Sequence, residues 1–134
     1  MLVKLFSITF LALINKFIKY GIVGFSGVII DFSITYIAKE KIKIHKYISN
    51  ALGFLTAATT NYIFNRLWTF HSHNSQIGIE YSKFILISLT GLAINTFIIW
   101  LLNSKFDFNF YISKAFAIII VTIWNFILNL LYTF

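Results

Sequence analysis

The chain lacks cysteine and proline altogether, and it carries only four acidic residues among its 134. Because there is no cysteine, disulfides, thiolate catalysis and cysteine-ligated zinc or iron–sulfur sites are excluded. Because there is no proline, any break within a helix has to come from glycine or from polar residues. Charged residues of both signs make up 11% of the chain, against about a quarter of a soluble domain. An ordinary soluble enzyme is therefore excluded as well.

Hydrophobic residues make up 59% of the chain, and its mean hydropathy is +0.84. A chain this short has too little interior to bury so much apolar surface, so most of that surface has to face lipid. Four apolar runs, at 17–38, 47–70, 84–102 and 111–132, are each near the ~20 residues that span a bilayer. We predict an all-α membrane protein with four transmembrane helices. The net charge of +7 then indicates loops beside anionic lipid, and no nucleic-acid partner is expected.

A shorter apolar segment, MLVKLFSITFLALIN at residues 1–15, precedes the first run. One positive charge followed by about ten apolar residues is typical of a signal peptide, but no small-residue cleavage site precedes Asn15. We therefore expect an interfacial helix that packs against the first span. The transmembrane domain is predicted to occupy residues 16–134.

An internal repeat divides this domain into two halves, because residues 16–70 align without gaps with residues 80–134 at an offset of 64. The matches include polar residues, which hydrophobic composition alone does not align, among them Lys19/Lys83, Ser49/Ser113, Asn61/Asn125, Asn65/Asn129 and Thr69/Thr133. Each half holds two spans, so both halves are predicted to be parallel repeats that enter the membrane from the same side, with both termini together. Lysine and arginine are nearly balanced between the two sides, with Lys114 counted as an interfacial lysine opposite the termini. Charge therefore does not decide the orientation.

Asp31 lies deep in the first span, where a carboxylate costs about 2.5–3.5 kcal/mol on insertion scales. Gly24 and Gly27 share its helical face, and Ser88, Gly91 and Asn95 repeat that face in the third span. We expect Asp31 to face the bundle. One interpretation is a packing seam in which Asp31 is hydrogen-bonded to Asn95. The other is a role in moving a substrate or a proton.

Asparagines form a polar stripe along the second span, where Asn61, Asn65 and Trp68 lie on one face, and along the fourth span at Asn125 and Asn129. An amide in hydrocarbon has to find a partner. The stripe indicates either interhelical hydrogen bonds or a polar path that leads inward from the interface.

Arg66 next to Asn65 is the second costly charge. By depth, Arg66, Lys19 and Lys83 are predicted to converge beneath one interface, with Asn65, Asn61 and Trp68 beside them. Guanidinium is suited to phosphate oxygens, so we hypothesise a site for a lipid phosphate and sugar. A competing interpretation has Lys19 and Lys83 reach to anionic headgroups alone. Pairing of Arg66 with Asp31 is not expected, because their depths differ by about 15 Å of helix.

Nothing in the remaining chain suggests bond-breaking chemistry. His71 and His73 form an HxH pair with nothing to complete a metal site, and we expect neither a metal nor another cofactor. The acidic residues Glu40, Glu80 and Asp107 stand in loops among lysines and are interpreted as solvated charges. No nucleophile–base arrangement is present, so we expect a protein without enzymatic activity.

The segments KFIKYGIVGFSGVIIDF, NYIFNRLWTF, KFILISLTGLAIN and NFILNLLYTF resemble the GtrA-like family of small four-span membrane proteins. The resemblance covers residues 16–134, and its strongest motif falls on Asn61, Asn65, Arg66, Trp68, Thr69 and Phe70. It implies a role in cell-surface polysaccharide biosynthesis and cytoplasmic termini. Members are thought to move polyprenyl-phosphate-linked sugars across the membrane or to assist the membrane glycosyltransferase that uses them. Some relatives are linked to teichoic acid glycosylation of the cell wall, and a similar module is attached to some dolichol-phosphate-mannose synthases.

Three functions stay open at this point. The first is a flippase for a polyprenyl-phosphate-linked sugar in the cytoplasmic membrane, and the second is an accessory subunit that recruits polyprenyl phosphate to a glycosyltransferase. The third is a small proton-coupled multidrug exporter, which would not explain the Arg66 motif. The second half of the repeat has Leu130 and Tyr132 in place of the arginine and the tryptophan, so one site per chain is expected. A homodimer would enlarge the small space that four short helices enclose.

Overall fold

A computed structural model of residues 1–134 contains four helices and no strand. The helices are α1 (Leu2–Tyr36), α2 (Lys46–Phe64), α3 (Ile77–Trp100) and α4 (Phe110–Leu128). Each continues without interruption into a five-residue π-helical turn, here called its closing turn: Ile37–Lys41, Asn65–Thr69, Leu101–Lys105 and Asn129–Thr133. The prediction of an all-helical chain is confirmed.

Three helices are long and apolar enough to cross a membrane: Leu2–Lys41, Ile77–Lys105 and Phe110–Thr133. Their large apolar side chains point outward, as at Phe25, Leu86 and Ile119, which are 69%, 62% and 62% exposed. In water such surfaces would be unfavourable, so they face lipid and the protein is membrane-embedded. Helix α2 with its closing turn is as long as α4 with its own, but it carries more asparagine, threonine and serine.

The helix boundaries recur at the same offset of 64 residues as the repeated sequence. Helices α2 and α4 correspond at both ends, and so do the four closing turns in pairs. Each of the two helices begins at a polar cap, because the His45 and Asn109 side chains accept hydrogen bonds from Tyr47 N and Tyr111 N. Repeated local signals therefore produce repeated elements.

The N-terminal segment differs from the prediction, because residues 2–15 do not form a separate interfacial helix. They are the first part of α1, which runs unbroken from Leu2 to Tyr36. The segment has no glycine and no proline to end a helix, and the lysines and asparagine near residue 15 are compatible with one. Every residue from Met1 to Asn15 is exposed, so this part of α1 extends beyond the bundle.

The four helices pack as two hairpins, α1 against α2 and α3 against α4, with α2 also lying against α3. Gly53 permits the close approach in the first hairpin, since a Cβ there would collide with the Asp31 backbone oxygen and the Thr35 hydroxyl. Helices α1 and α4 complete the ring, but their backbones come close at few positions. The seam between α1 and α4 is therefore the loosest in the bundle.

Candidate functional site

A buried network joins one side chain from each of the four helices. Lys114 Nζ on α4 donates to Asp31 Oδ1 on α1 at 2.8 Å and to Asn50 Oδ1 on α2 at 2.6 Å. Asn50 Nδ2 donates in turn to Asn95 Oδ1 on α3 at 3.1 Å. All four residues are at most 3% exposed. The network therefore links both hairpins inside the membrane-embedded bundle.

The residues of this network occupy equivalent positions in the two repeats, but they do not carry equivalent charges. Asp31 corresponds to Asn95 and Asn50 corresponds to Lys114 at the offset of 64 residues. One contact between the hairpins is consequently an ion pair, and its repeat-related counterpart is a pair of amides. Asp31 faces the bundle as predicted, but its partner is Lys114 and not Asn95.

Lys114 corrects a second expectation, because it is fully buried and is not an interfacial lysine. It lies just inside α4, where Ser113 and Ala117 are buried with it. The repeat was the only sequence signal that could have predicted its burial, because it makes Lys114 equivalent to Asn50. A lysine near a helix end otherwise favours the interface, since its long side chain can reach water.

A cavity of about 70 Å³ with a mixed lining lies at the centre of the bundle, next to this network; apolar residues such as Phe54, Phe84 and Val121 form more of its wall than polar ones. We call it the central cavity; its wall includes Gly27, Asp31, Asn61, Ser88, Thr122 and Asn125. The amide oxygens of Asn61 and Asn125 are buried there without a hydrogen-bond partner. Unpaired buried acceptors are unfavourable, so the cavity is suited to a guest that donates hydrogen bonds. Its volume accommodates a few water molecules.

Two glycines make room for those amides. Asn61 lies against Gly27 of α1, and Asn125 lies against Gly91 of α3, where in both cases a Cβ would collide with the amide. The predicted glycine face and the predicted asparagine stripe therefore meet within each hairpin. The inner asparagine of each stripe lines the cavity.

The outer asparagines have a different role, because they brace the closing turns. Asn65 Oδ1 accepts from the Thr69 hydroxyl at 2.7 Å, and Asn129 Oδ1 accepts from the Thr133 hydroxyl at the same distance. Both asparagines are at most 1% exposed. Asn129 also donates to the Tyr20 hydroxyl of α1 at 3.4 Å. The stripe is thus part structure and part cavity lining.

Arg66 is held by an acidic side chain that we had interpreted as solvated. Glu80, at the start of α3, is 1% exposed and forms an ion pair with Arg66. It also accepts from Tyr62 at 3.1 Å, and Ser72 donates to it as well. The expectation of a solvated Glu80 is therefore wrong: the first turn of α3 places it against the end of α2. Arg66 Nη2 donates to the Asn74 backbone oxygen at 2.8 Å, so the guanidinium braces the loop between α2 and α3.

The predicted convergence of three cations is not formed. Lys19 Nζ lies over the Trp68 ring, 5.4 Å from its centroid, whereas Arg66 points to Glu80 and Lys83 is exposed. Trp68 itself is 41% exposed and does not join the buried face of α2. One turn from Lys19, Lys16 Nζ lies 5.9 Å from the centroid of the Phe70 ring. Asp31 and Arg66 are not paired, as expected.

The family described as "GtrA/DPMS, transmembrane domain" matches residues 19–134. The chain belongs to this family. No curated protein matches the chain. The predicted membership is confirmed, and the GtrA/DPMS domain indicates a membrane protein in the biosynthesis of glycan precursors. The matched range begins within α1, so the exposed N-terminal part of that helix lies outside it.

Proposed function

We propose that this GtrA/DPMS protein binds a polyprenyl-phosphate-linked sugar and moves its head group across the cytoplasmic membrane. The observation that carries the proposal is the central cavity. It lies inside a membrane-embedded bundle, polar groups interrupt its apolar wall, and two of the asparagines that line it have buried amide oxygens without hydrogen-bond partners. A sugar is rich in hydroxyl donors, and such oxygens can replace part of the hydration that the sugar loses on crossing.

The lipid phosphate is attracted by Lys16 and Lys19. Neither lysine has a carboxylate partner, since the ion pairs of the chain involve Lys39, Arg66 and Lys114. The two lysines are one helical turn apart on α1. They precede Tyr20, which lines the central cavity. Arg66 joins them as a phosphate ligand only through N–H groups that Glu80, Ser72 and Asn74 leave free. Lys83 supports the approach of an anionic lipid through its charge alone.

The proposed topology has four membrane crossings, because α2 crosses in addition to the three long apolar helices. The crossings form two parallel repeats, and both termini lie in the cytoplasm. Helix α2 is polar because its buried face supplies Asn50 and Asn61, and neighbouring helices cover those groups. The protein acts without enzymatic chemistry, because binding and translocation need no bond to be broken. Its partner is a membrane glycosyltransferase that uses the delivered sugar, in pathways such as teichoic acid glycosylation.

The central ion pair argues against a proton-coupled exporter. Such an exporter needs its carboxylate available in an apolar substrate pocket. Asp31 borders the central cavity, but its carboxylate is bound to Lys114 and to the Thr35 hydroxyl. The accessory role stays as the second candidate, because the same cavity and lysines also serve a protein that binds the lipid without moving it.

Reconstitution in liposomes tests the proposal. The purified protein is combined with a polyprenyl-phosphate sugar labelled in its head group, and access of an impermeant reagent to the label is followed over time. We expect head-group movement without a partner enzyme, and loss of movement in a double variant with Asn61→Leu and Asn125→Leu. The matched control is Thr56→Val, which alters an exposed threonine of α2 that bonds only its own helix.

The outcomes separate the candidates. Saturable binding without movement would favour the accessory role. Absence of saturable binding by the folded wild-type protein would overturn both. Movement that survives in the Asn61→Leu/Asn125→Leu double variant would remove the cavity from the pathway.

A further inference from the structure

The seam between α1 and α4 is closed at its two ends by side-chain contacts. At one end the Tyr20 and Phe126 rings meet edge to face, with 5.2 Å between their centroids. At the other end lies the ion pair between Asp31 and Lys114. Tyr20 and Asp31 are separated by about 16 Å along the helix. No hydrogen bond, ion pair or aromatic pair links α1 to α4 over that stretch.

Between these ends the central cavity reaches the outside of the bundle. Gly24 and Val28 of α1 and Ile118 and Thr122 of α4 line the cavity, yet all four are half-buried and not sealed. We call these four residues the window. A Cβ added at Gly24 would meet no atom within 4 Å, so the gap on that side is real space. The window faces the hydrocarbon of the membrane, because it lies midway along two spanning helices.

The repeat supplies an internal comparison, since the seam between α2 and α3 is the counterpart of the seam between α1 and α4. The equivalents of three window residues there are Ser88, Phe54 and Ala58, which are only 1%, 9% and 6% exposed. Phe54 fills the place of Ile118, and Ser88 fills the place of Gly24. The fourth equivalent, Leu92, is half-buried like Val28. The seam between α2 and α3 is therefore closed more tightly than the seam between α1 and α4 at three of the four positions.

We propose that the window is a lateral portal for a polyprenyl lipid, whose chain lies in hydrocarbon while part of its head group enters the central cavity. This inference rests on the proposed function and adds the route by which the lipid enters. A closed ring of helices would keep the head group in lipid, away from the polar groups of the cavity, and that is costly. An opening on one seam lets head and chain each keep a suitable environment.

The outer surface of the same seam fits this arrangement. Beyond the window a shallow groove is formed by Phe32, Ser33, Tyr36 and Tyr111, three of which are aromatic. Lys16 and Lys19 stand at the opposite end of the seam. A lipid with its phosphate at the lysines therefore has its chain directed along the window toward this groove.

Photo-labelling with a blocked portal tests the inference. The probe is a polyprenyl phosphate with a diazirine in its chain, and labelled residues are mapped by mass spectrometry in reconstituted protein. Wild-type protein is expected to be labelled at the window. Gly24→Trp is expected to lose this labelling. The matched control is Gly21→Trp, because Gly21 is equally open to a side chain but does not line the cavity.

A second variant copies the seam between α2 and α3. It tests the portal independently if the Gly24→Trp variant does not fold. The triple variant with Gly24→Ser, Ile118→Phe and Thr122→Ala gives the seam between α1 and α4 the residues of the seam between α2 and α3 at three of the four window positions. It is expected to fold, to keep its melting temperature and to lose chain labelling. Retained window labelling in this folded variant would overturn the portal.

The remaining outcomes are distinguishable from one another. Saturable labelling confined to the outer surface of α2 and α3 would overturn the portal while leaving the proposed function in place. Equal loss of labelling in the folded Gly21→Trp control would also overturn it, because that residue lies outside the window. No saturable labelling anywhere would overturn the proposed function together with the portal.

Discussion

At the scale of single residues, the ion pair between Asp31 and Lys114 is the electrostatic contact whose loss is expected to cost the most stability. Each charge alone is expensive within the bundle, and each is tolerable because the other lies 2.8 Å away. Lys114 also donates to Asn50, and the Thr35 hydroxyl donates to Asp31. Replacement of a buried pair by neutral groups is often harmless, whereas removal of one partner leaves an uncompensated charge. The amide pair between Asn50 and Asn95 shows a neutral solution at the equivalent position.

We therefore expect Lys114→Asn alone, or Asp31→Asn alone, to destabilise the protein by about 3–5 kcal/mol. The double variant copies the amide pair of the other seam and is expected to recover most of that loss. Thermal unfolding of the detergent-solubilised protein measures all three. A double variant no more stable than the weaker single variant would contradict this account of the pair.

The substitution Glu80→Gln separates two proposed roles of Arg66, which are to brace the loop between α2 and α3 and to bind the lipid phosphate. Loss of the carboxylate charge leaves the loop between α2 and α3 less firmly braced, so we expect a lower melting temperature. We also expect unchanged affinity for polyprenyl phosphate, measured by saturable binding in nanodiscs, because Lys16 and Lys19 are intact. A clear gain in affinity would show instead that the ion pair with Glu80 holds the guanidinium back from the phosphate.

At the scale of elements, the packing of α1 on α2 depends on a glycine that lies one turn from a glycine with open space beside it. Gly27 touches the Asn61 amide, whereas Gly24 on the same helix has open space beside it. The two positions share a helix, a residue type and a nearly equal depth in the bundle. They differ in the neighbour that an added methyl group would meet.

Gly27→Ala is expected to destabilise the protein by about 1–3 kcal/mol, because the methyl group forces Asn61 or α1 to shift. Gly24→Ala is expected to be neutral or to stabilise by up to about 1 kcal/mol, since alanine favours a helix over glycine. Thermal unfolding of both variants in one detergent checks the difference. Equal destabilisation by the two would show that α1 is not packed on α2 as described.

At the scale of the whole molecule, the sequence predicts much of the fold and only part of the site. Hydropathy indicates the helices, and the repeat predicts that their boundaries recur, because both signals are local. Glu80 and Lys114 escaped the prediction, because charges near helix ends usually reach water and only packing between helices shows that they do not. The separate N-terminal helix was wrong since no residue in that segment ends a helix.

Deletion of residues 2–14 tests how independent the bundle is of the start of α1. We expect an unchanged melting temperature, because these residues are exposed and extend beyond the other helices. Limited proteolysis of the shortened protein should give the same protected core. A large drop in melting temperature would show that the segment supports the bundle.

The uneven placement of one ion pair has a consequence for how the two hairpins choose each other. Two copies of the first hairpin would set Asp31 against Asn50 twice, which leaves two anions without a cation. Two copies of the second would set Lys114 against Asn95 and leave two cations without an anion. Only the assembly of unlike hairpins pairs the Asp31 anion with the Lys114 cation. The ion pair therefore favours this assembly over two identical hairpins of similar shape. Hairpins produced as separate chains would for this reason sort into unlike pairs.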